Sequence, residues 1–129
     1  MLQSLAHIAL VVNDYDEAIK FYTQTLHFIL LEDKVMSPTK RWVMIAPQGS
    51  TGTTILLVKA SNEEQQSRIG NQTGGCVFLF LYTDDIKRDY QNLVDKKVTI
   101  VEELTIKPHG TVLVFADLYG NLCDLIQPV

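Results

Sequence analysis

The chain has 129 residues, 47% of them apolar, and a formal net charge of -4. This length and apolar content predict one domain with a buried core. The acidic balance, without a cluster of Lys and Arg, argues against a nucleic-acid surface. No apolar stretch is long enough to span a bilayer. Because the first apolar run is short, lacks a basic leader and contains His7, we interpret it as a strand and expect a cytoplasmic protein.

The first repeat, residues 1–58, reads as a strand, a helix and three further strands. Its opening strand, Leu5–Val12, is rich in branched apolar residues. Asp14, with Glu17 three residues later, forms a capping box at the start of a helix. That helix carries apolar side chains at helical spacing, which are Ala18, Ile19, Tyr22 and Leu26. The next strands are predicted at 28–32, 41–46 and 54–58.

Residues 59–75 form a polar linker in which Ser61 and Glu64 predict the start of a short helix. The second repeat, residues 76–129, has the same order of elements as the first. A helix begins at Asp84 or Asp85, between strands predicted at 77–83, 99–104, 111–116 and 122–127. Gly120 lies in a tight turn where a positive φ is expected. Cys76 and Cys123 lack the spacing of a disulfide framework, so we expect free, buried thiols.

The two repeats also match at their ends, which indicates an internal duplication. The opening segments are His7–Asp14 and Phe78–Asp85, and the closing segments are Thr54–Val58 and Leu122–Ile126. The order of all these pieces resembles the vicinal oxygen chelate superfamily, which includes glyoxalases, extradiol dioxygenases and bleomycin-resistance proteins. The stretches that carry the resemblance are His7–Val12, Asp14–Tyr22, Leu26–Phe28 and Phe115–Gln127.

The resemblance implies an α+β fold with two βαβββ modules that form an open, incomplete β-barrel. It also implies a homodimer, in which His7 of one chain faces Asp124 of the other when modules of two subunits combine. Whether the modules pair within one chain or between two stays open at this stage. A pair of ferredoxin-like regulatory domains is the alternative fold, and the three strands after each helix argue against it.

Metal sites in the resembled family use four positions, which correspond here to His7, Leu56, Phe78 and Asp124. Leu and Phe have no atom that can ligate a metal, whereas catalytic centres generally need about three protein ligands. A divalent metal cofactor therefore depends on His7 and Asp124, and the standard site is incomplete. The alternative is that both are ordinary buried polar groups satisfied by hydrogen bonds.

Strand alternation places every second side chain on one face of a sheet, which predicts the lining of a cavity. The candidate ligand-binding residues are His7, Ala9, Leu56, Phe78, Phe80, Tyr82 and Asp124. The same alternation places Ile8, Leu10 and Val12 under the helices. Such a lining suits a small hydrophobic or aromatic molecule.

Two functions follow as hypotheses. The first is a small-molecule-binding protein with an apolar, aromatic cavity and no standard metal centre. The second is a divergent metal-dependent lyase, isomerase or dioxygenase that uses His7 and Asp124. A protein-interaction module is a third and blander possibility. Other polar or aromatic residues could join either site or serve only packing and solubility; they are His27, Arg41, Trp42, Gln72, Lys107 and His109.

Overall fold

Each half of the chain forms a βαβββ arrangement, as the sequence predicts. The computed structural model describes residues 1–129 and divides into two units, Met1–Ile69 and Gly70–Val129. We call these units module one and module two. The predicted α+β class is confirmed, because each module combines at least one helix with one open, four-stranded mixed sheet.

Module one contains four strands and two α-helices. Its elements are β1 (His7–Val12), α1 (Tyr15–Lys20), a π-helical turn (Phe21–Thr25), β2 (Ile29–Ser37), β3 (Lys40–Ala46), β4 (Thr54–Lys59) and α2 (Glu63–Arg68). The strand order is β1-β4-β3-β2. β1 runs parallel to β4, and the other neighbours are antiparallel.

Module two repeats this topology with one helix. Its elements are β5 (Val77–Tyr82), α3 (Ile86–Asp95), β6 (Ile100–Lys107), β7 (Gly110–Ala116) and β8 (Leu122–Pro128). The strand order is β5-β8-β7-β6, with β5 parallel to β8. Gly120 has a φ of 102° in the turn before β8, as expected from the sequence.

The helix starts follow from side-chain caps. Asp14 accepts a hydrogen bond from the Glu17 amide at 2.9 Å, and Asp85 accepts one from the Arg88 amide at 3.1 Å. The expectation that Ser61 caps α2 is wrong, because Asn62 accepts the Gln65 amide instead, at 2.8 Å. Ser61 is one residue too early, and its own amide donates to the Gln65 side chain.

Each module has its own buried side chains on the helix side of its sheet. In module one these include Leu10, Val12, Tyr22, Val43, Ile45 and Leu57, and in module two they include Leu93, Leu113, Phe115, Cys123 and Leu125. The expectation that Ile8 is covered by helices is wrong, since it is 40% exposed. Ile8 lies at the beginning of the edge strand β1, whereas α1 packs against β3 and β4.

The two thiols differ. Both cysteines are free, and Cys123 is buried, but the expectation of a buried Cys76 is wrong because this residue is exposed. It lies just before β5, after two glycines with positive φ, and outside the strand that would have covered it. Burial raises the pKa of the Cys123 thiol far above its ordinary value, so this thiol stays protonated.

Candidate functional site

His7 lies on the side of the module-one sheet that faces away from its helix. We call this side the His7 face; it carries His7, Ala9, Val11, Met44, Thr54, Leu56 and Val58. The parallel register pairs His7 directly with Thr54. This pairing brings His7 Nδ1 to 2.7 Å from Thr54 Oγ1, so the hydroxyl fixes one side of the imidazole.

Trp42 supports the same imidazole from β3. The His7 and Trp42 ring centroids are 5.7 Å apart and the ring planes meet at 83°, an edge contact. The indole Nε1 donates to Met44 Sδ at 3.2 Å. His7 is nevertheless exposed, so the imidazole is oriented by Thr54 and Trp42 but still accessible.

The remaining predicted residues of the His7 face are apolar. Ala9 pairs with Leu56, which in turn pairs with Met44 across β4 and β3. Leu56 is half-buried, and its hydrocarbon side chain offers neither a hydrogen bond nor a metal ligand near His7. The His7 face therefore combines one oriented imidazole with an aliphatic surface and the indole of Trp42.

Asp124 lies on the corresponding side of the module-two sheet. We call this side the Asp124 face; it carries Phe80, Tyr82, Glu102, Val112, Val114, Asp124 and Ile126. One row across the four strands contains Glu102, Val114, Asp124 and Phe80. Phe80 and Tyr82 are 64% and 78% exposed, although both lie in a strand.

Phe78 lies where the β5–β8 register is irregular. Val77 pairs with Leu122, but Leu79 pairs with the next residue, Cys123, so Phe78 has no partner of its own on β8. Such a bulge changes the direction of a side chain and increases the local twist. Simple alternation therefore describes Phe80 and Tyr82 better than it describes Phe78.

The Asp124 carboxylate is incompletely satisfied. Its Oδ1 is buried and makes no hydrogen bond. Desolvation raises the pKa of Asp124, and the negative charge of Glu102 acts in the same direction. Lys107 and His109 lower this pKa, but burial dominates. An unpaired buried carboxylate oxygen is costly, and a donor supplied by a bound molecule would relieve the cost.

The donor set does not fit the metal centre that the resemblance implies. His7 has Thr54 and Trp42 beside it, and Asp124 has Phe80 and Val114 as its neighbours across the strands. No group of three or more His, Cys, Asp or Glu side chains is arranged to hold a metal ion. A catalytic centre generally requires about three such ligands.

Arg41, a candidate for anion binding, is already engaged. Its guanidinium contacts Asp16 at 2.9 Å and Asp33 at 2.7 Å, and it lies 5.2 Å from the centroid of the Tyr15 ring. These contacts connect β3 to α1 and β2, so Arg41 has a structural role. His109 lies in the turn between β6 and β7, where its charge acts on Asp124.

Sequence reasoning named Thr54 and Trp42 but not their contacts with His7, and it did not name Glu102. The Thr54 contact follows from the parallel register, since both residues begin their strands. Glu102 could have been found from the register of β6 and β7, but a shift in that pairing hides it from simple alternation.

No helix in the chain has the length and apolar character required to cross a membrane.

Comparison with known proteins agrees with this architecture. An uncharacterized protein of Shewanella frigidimarina is 54% identical, over 98% of this chain and 95% of the relative. The uncharacterized protein YurT of Bacillus subtilis is 32% identical, over 92% of this chain and 94% of the relative. The crystal structure of TnmS3, an antibiotic binding protein from Streptomyces sp. CB03234, is 28% identical with a TM-score of 0.79, covering 99% of this chain and 98% of that one.

The family comparison covers most of the sequence. The model of the Glyoxalase/Bleomycin resistance protein/Dioxygenase superfamily matches residues 4–125. That range contains all seven candidate ligand-binding residues predicted from the sequence, from His7 to Asp124. By this match and by its two βαβββ modules, the chain belongs to the Glyoxalase/Bleomycin resistance protein/Dioxygenase superfamily.

Proposed function

We propose that this protein binds a small aromatic organic molecule and does so without the standard metal centre of its superfamily. The observation that carries the proposal is the exposure of Phe80 and Tyr82 beside Asp124. Two aromatic side chains on adjacent rows of one strand provide a surface on which a planar molecule can stack. The Asp124 carboxylate next to them orients the bound molecule. An apolar surface with a few polar groups is the usual composition of a small-molecule site.

The positions of the family's metal ligands support binding over metal chemistry. Leu56 and Phe78 are hydrocarbon, and their side chains add apolar surface where a metalloprotein would need donor atoms. His7 is held by Thr54 rather than by a second ligating residue. In the proposed function, Asp124 makes a hydrogen bond to the ligand, and the exposed rings of Phe80 and Tyr82 provide most of the apolar contact area.

The name of one relative suggests the class of molecule. TnmS3 is described as an antibiotic binding protein, and this chain resembles it over nearly its full length. We extend that description to propose an antibiotic-like ligand whose planar aromatic system can contact both Phe80 and Tyr82. The proposal concerns reversible binding, in which affinity comes from stacking and burial and requires no chemical step.

A homodimer is part of the proposal. The edge strand β2 leaves apolar side chains exposed along its length, which are Ile29, Leu30, Leu31, Val35 and Met36. A second copy of the chain would cover surface of this kind. Light scattering coupled to size exclusion should give twice the monomer mass of 14.6 kDa, and a monomer at all concentrations would contradict the dimer.

The binding proposal can be tested with polycyclic aromatic antibiotics. Isothermal titration calorimetry with the full chain gives the affinity of each antibiotic. We expect saturable binding that persists in excess EDTA and weakens about two- to tenfold in Phe80→Ala, since stacking on one aromatic ring contributes about 0.5–1.5 kcal/mol.

Ile106→Ala is the matched control, because Ile106 is an exposed apolar residue of the same sheet. It lies on the opposite face, since its neighbour Thr105 pairs with Val112 of the Asp124 face. This control should bind like the unchanged protein. Binding that disappears in EDTA and returns with zinc, nickel, manganese or ferrous iron would contradict the proposal and favour a metal-dependent enzyme. Equal loss in Phe80→Ala and Ile106→Ala would place the ligand elsewhere.

A further inference from the structure

The Asp124 face holds an acidic group where a purely apolar stacking surface would need none. Asp124 is the direct strand partner of Phe80, and its buried Oδ1 has no hydrogen-bond donor. Elsewhere in module two, carboxylates have donors. Asp117 receives the amides of Tyr119 and Asn121, and Asp85 receives the amide of Arg88. Because Asp124 as a whole is only half-buried, its unsatisfied carboxylate is a group to which a ligand can supply a donor.

The same row contains a second carboxylate. Glu102 pairs with Val114, and Val114 pairs with Asp124, so two acidic side chains and the Phe80 ring lie on one line across the sheet. Tyr82 adds a second exposed ring on the next row. Carboxylates beside exposed aromatic faces are the side-chain set that recognises organic cations, through charge-assisted hydrogen bonds and cation–π contact.

The positive groups of this region lie toward one end of the sheet. Lys107 pairs with Gly110, and Gly110 pairs with Pro128, four residues along β8 from Asp124. That separation is about 13 Å along the strand. His109 is in the adjoining turn. Both groups lower the pKa of Asp124, and the effect of Lys107 is larger than the opposite effect of Glu102, but neither forms an ion pair or hydrogen bond with Asp124 Oδ1. The row that contains Phe80 itself carries two carboxylates and no basic side chain.

We infer that the Asp124 face selects aromatic ligands that carry a protonated amine. The inference rests on the proposed function and specifies its ligand class. The aromatic part of the ligand stacks on Phe80 and Tyr82, the ammonium group donates to the half-buried Asp124 carboxylate, and Glu102 adds a second negative charge. An aromatic acid has no favourable partner in this row, because Lys107 and His109 lie beyond it.

Three pyrene probes that differ only in their substituent test this selectivity. They are 1-pyrenemethylamine, 1-pyrenemethanol and 1-pyrenecarboxylate, measured by pyrene fluorescence anisotropy with the full chain at pH 7 in EDTA. We expect the amine to bind at least about tenfold more tightly than the alcohol, as a charge-assisted hydrogen bond predicts. The carboxylate should bind most weakly of the three.

Two variants assign the preference to Asp124. Asp124→Asn keeps the shape of the side chain but removes its charge, and it should reduce the preference for amine over alcohol to about twofold or less while the alcohol binds as before. Glu103→Gln is the matched control, because this neighbour of Glu102 accepts a hydrogen bond from Tyr90 on the helix side of the sheet and glutamine keeps an acceptor. It should leave the tenfold preference unchanged.

The outcomes separate the inference from the proposed function. Equal binding of amine and alcohol would overturn the inference and leave aromatic binding intact. Tightest binding of the carboxylate would also overturn it and would assign recognition to Lys107 and His109. An unchanged preference in Asp124→Asn would overturn the role of Asp124. Failure of all three probes, together with the antibiotic panel, would overturn the proposed function itself.

Discussion

The two modules share a sheet topology but place different side chains at equivalent points of that sheet. In module one, the row across β1, β4, β3 and β2 contains Ala9, Leu56, Met44 and Glu32. In module two, the row across β5, β8, β7 and β6 contains Phe80, Asp124, Val114 and Glu102. The edge glutamate is common to both, whereas the parallel pair changes from two aliphatic residues to an aromatic ring and a carboxylate.

The difference shows that two modules with the same sheet topology can carry different functional side chains. Sheet pairing depends on backbone hydrogen bonds and on the buried face, so it tolerates replacement of side chains on the other face. Module one keeps its polar residue, His7, at the edge strand and satisfies it with Thr54. Module two keeps its polar residue, Asp124, on an inner strand with one oxygen unsatisfied. Polar recognition is therefore expected to depend more on module two.

The largest effects should come from the buried leucines at equivalent positions of β4 and β8. Leu57 pairs with Leu10 and Val43 in module one, and Leu125 pairs with Leu81 and Leu113 in module two. Replacing either leucine by alanine removes buried side-chain volume and should lower the free energy of unfolding by about 2–5 kcal/mol. Denaturant unfolding measures the total loss for each variant.

Hydrogen exchange followed by mass spectrometry then locates that loss. Because each unit has its own core, Leu57→Ala should release protection mainly in β1 and β4, and Leu125→Ala mainly in β7 and β8. Alkylation of the buried Cys123, in a Cys76→Ser background, should accelerate in Leu125→Ala but not in Leu57→Ala. Equal loss of protection throughout the chain in both variants would show that the modules unfold as one cooperative unit.

An exchange of side chains between the equivalent positions 56 and 124 should have an intermediate effect. Asp124→Leu removes an unsatisfied carboxylate and should stabilise the protein by about 1 kcal/mol at pH 7, at the lower end of the usual cost because the residue is only partly buried. Leu56→Asp introduces such a group and should cost about 1–3 kcal/mol. Thermal unfolding of both variants gives the comparison.

The pH dependence provides the control for this exchange. The pKa of Asp124 is raised in the folded state, so the folded protein binds its proton more tightly than the unfolded chain does. Its unfavourable contribution is therefore absent below about pH 4, the ordinary carboxyl range, and grows as pH rises through the raised pKa. The advantage of Asp124→Leu should shrink between pH 7 and pH 3. An advantage independent of pH would reflect apolar packing alone.

The sequence predicted the inner strands better than the outer antiparallel strands, β2 and β6. β4 and β8 have buried side chains at alternate positions, which define where each strand lies. All nine residues of β2 are exposed, so no burial pattern marks its end, and the strand continues to Ser37 instead of ending at Glu32. β6 likewise extends to Lys107, beyond the predicted residue 104. Edge strands have one unpaired side, and charged residues are common there.

The face of the sheet on which most candidate residues lie was predictable, but the contacts of their side chains were not. Alternation placed His7 and Leu56 on one face, as it did Phe80 and Asp124, because the side-chain period of a strand is two. The contact of Trp42 with His7 depends on the length and rotamer of the Trp42 side chain, which the alternation of residues along a strand does not predict. The bulge at Phe78 and the unpartnered oxygen of Asp124 depend on the register between β5 and β8, which joins segments about forty residues apart.

The smallest expected effect concerns the orientation of His7. Thr54→Val keeps the shape of the side chain but removes the hydroxyl that lies 2.7 Å from His7 Nδ1. Because His7 is exposed, water can replace this hydrogen bond, and the unfolding free energy should fall by only about 0.5–1 kcal/mol. Thr53→Val is the matched control, since it removes a 2.7 Å hydroxyl contact with the Leu5 carbonyl from the neighbouring residue.

Only Thr54→Val should change which nitrogen of the His7 imidazole carries the proton. Nitrogen NMR shifts of His7 report which ring nitrogen carries the proton, and the hydroxyl of Thr54 biases that choice through Nδ1. We expect a tautomer shift, with a change in Trp42 emission, in Thr54→Val and neither change in Thr53→Val. The same result in both variants would mean that β4 as a whole has moved. No change in either would show that Trp42 alone orients His7, and module one would then hold its polar residue by packing rather than by a hydrogen bond.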